Sequence, residues 1–142
     1  MAGKVDQHYP EVIDQAQQIK YRKDLIFTGP VTDKEKYALY KGASAFVSAS
    51  LFEGFGLPGV EAMTLGIPLV VSNTEVFNEV YDNGAIYFDA NDPEDIAQKI
   101  YLIWSDDKYR QLIANQGYAR AQYFSWENAA HETIEIYNSL NK

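Results

Sequence analysis

Short apolar runs alternate with helical patterns along most of the chain, and this alternation constrains the fold more strongly than any other feature of the sequence. Short runs rich in Val, Ile and Phe are typical of strands that are buried on both faces. Strands that alternate with helices assemble into a parallel sheet with helices on both sides. We therefore predict an α/β fold with strands at residues 25–28, 45–49, 68–73 and 85–90.

Helix signals fill the segments between these runs. Thr32 and Glu35 form an S/T-x-x-E capping box, and Gly66 is placed to end a later helix. Predicted helices cover residues 10–19, 33–41, 58–65 and 108–122, and another covers 126–140 after the N-cap candidate Ser125. Two more begin after Thr74 and Asp92. The helix after Asp92 has an apolar stripe formed by Ile96, Ile100, Ile103 and Trp104. The complete pattern predicts a Rossmann-like parallel sheet flanked by helices.

The composition limits the partners that the chain can have. Its 142 residues suit one domain, and the net charge of −8 argues against nucleic acid or an anionic membrane, because both require clustered Lys and Arg. No apolar run approaches the roughly 18 residues of a membrane span, and the first residues do not resemble a signal peptide. No cysteine is present, so disulfides and thiolate sites are excluded, and we expect a cytoplasmic protein.

The stretch SLFEGFGLPGVEAMTLGIPLVVSN, residues 50–73, joins the second predicted strand to the third. In parallel α/β sheets, ligands bind outside the carboxyl ends of the strands, and this stretch begins at such an end. Residues 28–31 and 72–75 also follow predicted strands. We therefore expect three loops to converge on one rim, which is where this type of fold has its binding site.

This stretch is suited to a ligand with both phosphate and hydroxyl groups. Gly54 and Gly56 can adopt positive φ or allow a ligand close to the backbone, and the following helix presents unpaired N–H groups to an anion. Glu53 and Glu61 can accept hydrogen bonds from sugar or ribose hydroxyls. Two simpler interpretations stay open. Glu61, expected in the first helical turn, could have no role other than to stabilise the helix, by about 0.3–1 kcal/mol. Phe55 could lie in the core.

As a whole, EGFGLPGVEAM followed by GIPLVVSN resembles the E-x7-E signature of retaining GT-B glycosyltransferases of group 1, family 4. The segment DLIFTGPVTDKEKYALYKGASAFVSAS resembles the strand, turn, helix and strand that precede this signature in the family. NEVYDNGAIYFDANDPEDIAQKI resembles the loop, strand and helix that follow it, and GYARAQYFSWENAAHETIEIY resembles the closing helical segment. The similarity covers residues 24–137 and implies the C-terminal, donor-binding half of a GT-B fold.

The resemblance also implies a function and residue roles. Enzymes of this family transfer a sugar from a nucleotide-sugar donor to an acceptor hydroxyl, and they need no metal or other cofactor. By the family pattern, Glu53 is the catalytic candidate at the donor sugar and Glu61 binds the ribose. The other donor-binding candidates act through main-chain groups: Gly54, Phe55, Gly56 and Leu57 at the sugar and diphosphate, and Gly29 and Val31 at the base.

Part of the family's donor site has no match in this chain. In the family, an arginine and a lysine near the start of the domain bind the diphosphate. None of the basic residues early in this chain fits that pattern, namely Lys4, Lys20, Arg22 and Lys23. A first strand and an N-terminal domain are missing as well. We expect a single truncated domain that is inactive alone. Its open sheet edge is expected to pair with the N-terminal domain, a partner chain or a second copy in a homodimer. Alternatively, the sheet rearranges into a smaller one.

Three other interpretations are weighed against this one. Glycosidase carboxylates flank one bond at about 5–5.5 or 6.5–9.5 Å, whereas Glu53 and Glu61 would bind different parts of one donor. GFGLPG has the G-x-G-x-x-G spacing of dinucleotide sites, but it follows the second predicted strand, and no acidic residue closes the next one. A non-catalytic module that binds a nucleotide sugar, or has only a structural role, remains the alternative.

Overall fold

The computed structural model describes Met1 and residues 11–140. The chain forms two compact units, Met1–Leu39 and Tyr40–Lys142. The first unit contains helix α1 (Glu11–Gln18), a 3₁₀ turn at Arg22–Asp24 and most of helix α2 (Asp33–Gly42). The later elements are strands β1 (Phe46–Ser48), β2 (Leu69–Ser72) and β3 (Ala85–Phe88), a 3₁₀ turn at Asp82–Gly84, and helices α3 (Leu57–Thr64), α4 (Glu75–Tyr81), α5 (Pro93–Ser105), α6 (Asp107–Ala121) and α7 (Trp126–Leu140).

Strands β1, β2 and β3 form a parallel sheet in that order. Phe46 of β1 lies opposite Leu69 of β2, and Val70 of β2 lies opposite Ile86 of β3. All four residues of β2 are buried, because this central strand has a neighbouring strand on each side and a hydrophobic cluster on each face. The predicted parallel α/β fold is confirmed, and each of the predicted strands at residues 45–49, 68–73 and 85–90 contains an observed strand.

The predicted strand at residues 25–28 is wrong. These residues are irregular, and Ile26 is 70% exposed. The Met1 amino group donates a hydrogen bond to the Ile26 carbonyl at 2.6 Å, and the Thr28 amide donates to the Met1 carbonyl at 3.0 Å. Among the described residues, these two bonds to Met1 do not make the ladder of several residues that a strand requires. Among the described residues, the sheet therefore has three strands rather than four.

The second unit has a hydrophobic core on each face of its sheet. Side chains alternate along a strand, so Leu69 and Val71 pack in one cluster while Val70 packs in the other. Other buried members of the first cluster are Val60, Ala62, Met63, Ile67, Phe77, Val80, Tyr81, Ala85 and Ala121. The second cluster also contains Ile86, Phe88, Ile103 and Ile113. This arrangement explains why β2 reads as a continuous apolar run.

Helix α6 packs closely against the end of α4. A Cβ atom on Gly84 would lie 2.8 Å from the Cα atom of Gly117, so the two backbones meet where neither residue has a side chain. Arg120 of α6 donates from Nε to the Val80 carbonyl at 2.9 Å and from Nη2 to the Glu79 carbonyl at 2.7 Å. These bonds satisfy carbonyls at the C-terminal end of α4 and fix it to α6.

Most of the predicted helix signals are confirmed. The Thr32 amide donates to Glu35 Oε2 at 2.8 Å as the capping box requires, and Gly66 has a φ of 70° after α3. The predicted start at Pro10 lies outside the described residues, as does Lys4. The apolar stripe of α5 is buried only in part: Ile103 is 2% exposed, whereas Trp104 is 71% exposed.

Helix α7 follows the predicted N-cap Ser125, whose hydroxyl accepts the Asn128 N–H at 3.0 Å. None of its residues is buried, and its large apolar side chains are exposed, namely Trp126, Ile134, Ile136, Tyr137 and Leu140. Helix α7 therefore contributes nothing to the core. Within the described part of the chain, no helix is both long enough and apolar enough to span a membrane.

Candidate functional site

Two loops of the second unit meet at the carboxyl edge of its sheet. Residues 49–56 leave the end of β1, and residues 73–74 leave the end of the adjacent parallel strand β2. The buried Ser72 hydroxyl joins the two by donating a hydrogen bond to the Ser50 carbonyl. The expected shared rim is confirmed for these two loops. Gly29 and Val31 belong to the unit Met1–Leu39, and their place on this rim stays a prediction.

Gly56 turns the first loop into helix α3. It is the N-cap residue and has a left-handed conformation, with φ 85° and ψ 39°. The amides of Gly59 and Val60 donate to its carbonyl at 2.9 and 3.4 Å. Among the described residues, the amides of Gly54, Phe55 and Gly56 donate no hydrogen bond. The loop therefore presents main-chain donors that are available to a ligand.

Tyr81, the last residue of α4, holds this turn from the interior. It is 1% exposed, its hydroxyl donates to the Gly56 carbonyl at 2.7 Å, and its ring stacks on Phe77 with 4.9 Å between centroids. A Cβ atom on Gly59 would lie 2.5 Å from Tyr81 Cζ, and one on Gly56 would overlap the Tyr81 hydroxyl. Both glycines are therefore required by the position of this ring.

Glu53 lies half-buried on the same loop. The pKa of Tyr81 is raised above its ordinary value, first because the hydroxyl is buried and then because of the negative charge of Glu53. Phe55 is 40% exposed and packs edge-on against Phe124, with 5.5 Å between ring centroids. Phe55 is thus anchored at the surface rather than in the core. No protein atom would lie within 4 Å of a Cβ atom on Gly54.

Glu61 is the fifth residue of α3, because the helix begins at Leu57. Its expected place in the first turn is wrong, and the helix dipole alone does not explain it, since that effect falls off within the first turn. The Tyr40 hydroxyl lies 3.1 Å from Glu61 Oε2 and 3.0 Å from the Pro58 carbonyl, and its one proton can go to either. Burial first, and then Glu61, raise the pKa of Tyr40. Tyr40 therefore orients the Glu61 carboxylate.

The loop and the start of α3 offer two kinds of group to a ligand. Carboxylate oxygens of Glu53 and Glu61 accept hydrogen bonds, and main-chain amides of the loop donate them. The first suits hydroxyl groups and the second suits an anion. In the portion of the chain that the structure describes, no three His, Asp or Glu side chains are grouped closely enough to hold a metal ion.

The sequence did not single out Tyr40 or Tyr81. A count of eleven tyrosines indicates a core edge or a ligand cleft in general, but only the packing shows which two contact the motif. Gly59 gave a weak signal, because a glycine inside a helix costs about 1 kcal/mol relative to alanine. Such a glycine calls for a packing reason, and here that reason is Tyr81.

The geometry agrees with comparisons to known proteins. Residues 1–120 match the family described as glycosyl transferases group 1. The chain belongs to this family. One curated relative of this glycosyltransferase domain, O-antigen chain mannosyltransferase B of Escherichia coli, is 40% identical over 114 residues, which are 80% of this chain. The chain spans only 30% of the length of that relative.

Solved structures of glycosyltransferases share the fold of this group 1 domain. The C-terminal domain of a group 1 family protein (LpcC) from Francisella tularensis is 26% identical with a TM-score of 0.71, covering 83% of this chain and 64% of that one. Anabaena HepE, solved in complex with UDP and glucose, is 22% identical with a TM-score of 0.81, covering 97% of this chain and 39% of that one. The predicted family and the Rossmann-like fold of a GT-B C-terminal domain are confirmed.

Proposed function

We propose that this domain is the donor-binding part of a retaining glycosyltransferase. Joined to an N-terminal domain, it transfers a sugar from a nucleoside-diphosphate donor to an acceptor hydroxyl. The observation that carries the proposal is the placement of Glu53, the unpaired loop amides and Glu61 on one segment at the carboxyl edge of the sheet. The mannosyltransferase relative supports sugar transfer and makes mannose the first sugar to test.

The proposed roles follow from charge. A carboxylate repels a diphosphate but accepts hydrogen bonds from hydroxyls, so Glu53 binds the donor sugar and Glu61 binds the ribose. Main-chain N–H groups favour an anion, so those of residues 54–57 bind the sugar and the diphosphate. The base lies at Gly29 and Val31, where backbone groups read it.

The proposed reaction is a front-face displacement through an oxocarbenium-like state. The bond between the anomeric carbon and the diphosphate oxygen breaks, and a bond from the anomeric carbon to the acceptor oxygen forms on the same face. The departing diphosphate takes the acceptor proton. Catalysis rests on electrostatic stabilisation of that diphosphate. No metal takes part in this scheme, and the nucleotide sugar is a substrate rather than a cofactor.

The proposal includes a partner for the domain. The family's arginine and lysine have no match in this sequence, and the proposal places the cationic half of the site outside these residues. β1 is an edge strand of the described sheet, and its Val47 is 44% exposed. An N-terminal domain, a partner chain or a second copy covers this edge. The isolated chain is inactive, and the cytoplasm is its proposed location.

Calorimetric titration with UDP, GDP, ADP and their mannose conjugates tests the ligand class. We expect at least one nucleotide to bind in the presence of EDTA, and we expect Glu61→Ala to lose that binding, because the ribose loses its acceptor. Glu132→Ala, on the exposed face of α7, is the matched control and should bind as the unchanged chain does.

Two results would contradict the proposal. If Glu61→Ala and the unchanged chain bound the nucleotide equally, Glu61 would not be the residue that binds the ribose. Absence of binding in every titration would favour the non-catalytic, structural alternative.

A further inference from the structure

Tyr81 connects the hydrophobic core to the loop that the proposed function assigns to the donor. Its ring belongs to the buried cluster with Phe77, Leu69 and Val71, and its hydroxyl reaches the Gly56 carbonyl at 2.7 Å. The hydrogen bond is buried, so water does not compete for either partner. A rigid part of the core is thereby joined directly to the turn.

The fit around the hydroxyl allows it little freedom. Cβ atoms on Gly56 or Gly59 would overlap this oxygen, so the hydroxyl occupies a slot between the two glycines. The stack on Phe77, with planes inclined by 26°, restricts rotation of the ring from the other side. The position of the hydroxyl is therefore set by packing rather than by the loop itself.

Fixing the Gly56 carbonyl also fixes the next amide. A peptide group is planar and trans, so the N–H of Leu57 points opposite to the carbonyl of Gly56. The carbonyl accepts hydrogen bonds from the Tyr81 hydroxyl at 2.7 Å and from the amides of Gly59 and Val60 at 2.9 and 3.4 Å. The Leu57 N–H consequently points away from the core, in the direction from which a ligand approaches.

The Tyr81 hydroxyl is a donor well into the alkaline range. Burial and the negative charge of Glu53 both raise its pKa above the ordinary value, so the hydroxyl keeps its proton to higher pH than an exposed tyrosine does. Only a protonated hydroxyl can donate to a carbonyl.

We propose that Tyr81 is a positioning residue of the donor-binding loop. Its buried hydroxyl fixes the peptide group between Gly56 and Leu57 and so aims the Leu57 amide at the donor diphosphate. This inference rests on the proposed function for the identity of the ligand. The ordering of the loop by Tyr81 is independent of the proposed function, because it can be measured in the unliganded chain.

Tyr81→Phe keeps the ring and its stack and removes only the hydroxyl. Tyr87→Phe is the matched control: the Tyr87 hydroxyl lies 2.6 Å from the Asp82 carbonyl and 3.2 Å from the Phe77 carbonyl and donates its one proton to either, and its ring packs against the same cluster. We expect both variants to lose similar stability. Only Tyr81→Phe should weaken binding of the nucleoside diphosphate, by about 2- to 10-fold, the range that corresponds to one hydrogen bond.

Amide hydrogen exchange of the unliganded chain supplies a second readout. The amides of Gly59 and Val60, which donate to the Gly56 carbonyl, should exchange about 2- to 10-fold faster in Tyr81→Phe than in Tyr87→Phe. The amides of β2, a central strand, serve as the reference for global opening. If Tyr81→Phe does not fold, Gly59→Ala displaces the same hydroxyl and should give the same local effect.

The outcomes separate the two proposals. Unchanged exchange at Gly59 and Val60 overturns the role of Tyr81, whether or not a nucleotide binds. Equal loss of affinity in Tyr81→Phe and Tyr87→Phe overturns it too, because the effect is then one of stability alone. If no nucleotide binds the unchanged chain but exchange rises only in Tyr81→Phe, the proposed function fails while Tyr81 still orders the loop.

Discussion

At the scale of single residues, the loop before α3 is shaped by where a side chain has room. Gly54 has no atom within 4 Å of an added Cβ and no positive φ, so nothing in the folded chain requires glycine there. Gly56 combines a φ of 85° with contact to Tyr81. Gly59 lies within helix α3, and Tyr81 fills the space of its side chain. Of the three glycines of GFGLPG, Gly56 and Gly59 therefore have a structural reason in the described part of the chain, and Gly54 has none.

Gly59→Ala should destabilise the domain. Alanine is favoured over glycine in a helix by about 1 kcal/mol, but overpacking costs about 1–3 kcal/mol or more. Here the added Cβ would lie 2.5 and 2.9 Å from two ring carbons of Tyr81. We expect a net loss of about 1 kcal/mol or more, measured as a lower urea midpoint with an unchanged slope.

Gly42→Ala is the control for this substitution. Gly42 is also helical, at the end of α2, and an added Cβ would have nothing within 4 Å. Its urea midpoint should stay the same or rise. Circular dichroism is the suitable probe, because Trp104 and Trp126 are already exposed in the folded chain. A Gly59→Ala variant as stable as the Gly42→Ala variant would show that Tyr81 moves aside easily.

At the scale of elements, one arginine joins α6, α4 and the loop. Arg120 caps the end of α4 through two carbonyls and lies over the ring of Phe124 at 5.1 Å, and Phe124 in turn contacts Phe55. An arginine can do this because its planar guanidinium donates in a fixed fork and stacks on aromatic faces. Helix α6, which packs in the core, therefore also supports Phe55, the residue that anchors the loop at the surface.

Arg120→Lys should cost about 1.5–3 kcal/mol in the free energy of unfolding. A lysine keeps the charge, but its single ammonium group does not reproduce the fork and the stacking together. Arg110→Lys is the matched control on the same helix: Arg110 pairs with the exposed Asp107 at 2.8 Å, and such a pair is worth about 0–1 kcal/mol. Equal losses in the two variants, by urea unfolding, would contradict the capping role.

The sequence predicted the starts of helices correctly, because these depend on interactions between residues that are close in the chain. Thr32 with Glu35, Thr74, Asp92 and Ser125 were all read as helix starts, because a cap is a hydrogen bond between residues two or three positions apart. The predicted strand at residues 25–28 failed because a strand depends on partners that are distant in sequence. Its apolar composition is typical of a buried strand, but in the structure residues 25–28 are irregular and Ile26 is 70% exposed.

At the scale of the whole molecule, buried tyrosines link stability to alkaline pH. Burial first, and then the charge of Asp82, raise the pKa of Tyr87 from its ordinary value of 10.0 to about 12. The pKa values of Tyr81 and Tyr40 are raised as well. Between these values the unfolded chain has lost the tyrosine proton while the folded chain retains it. The stabilisation is thus complete below the ordinary pKa and is lost as the pH rises towards the shifted one.

We therefore expect the urea midpoint to fall between about pH 10 and pH 12, with each such tyrosine contributing at most about 1.4 kcal/mol per pH unit. Tyr87→Phe should reduce this slope. Tyr101→Phe, whose ring is 66% exposed, should leave it unchanged. A slope that is the same in both variants would contradict the assignment to Tyr87.

The sequence by itself determined the family, the α/β alternation, the helix caps and the segment that holds Glu53 and Glu61, because each depends on residue types at short and fixed spacings. The tertiary structure decided which side chains support that segment. Tyr40 lies 21 positions from Glu61, and Tyr81 lies 25 positions from Gly56. Such contacts form only when the helices pack on the sheet, and close packing, rather than any local pattern, selects these two tyrosines among eleven.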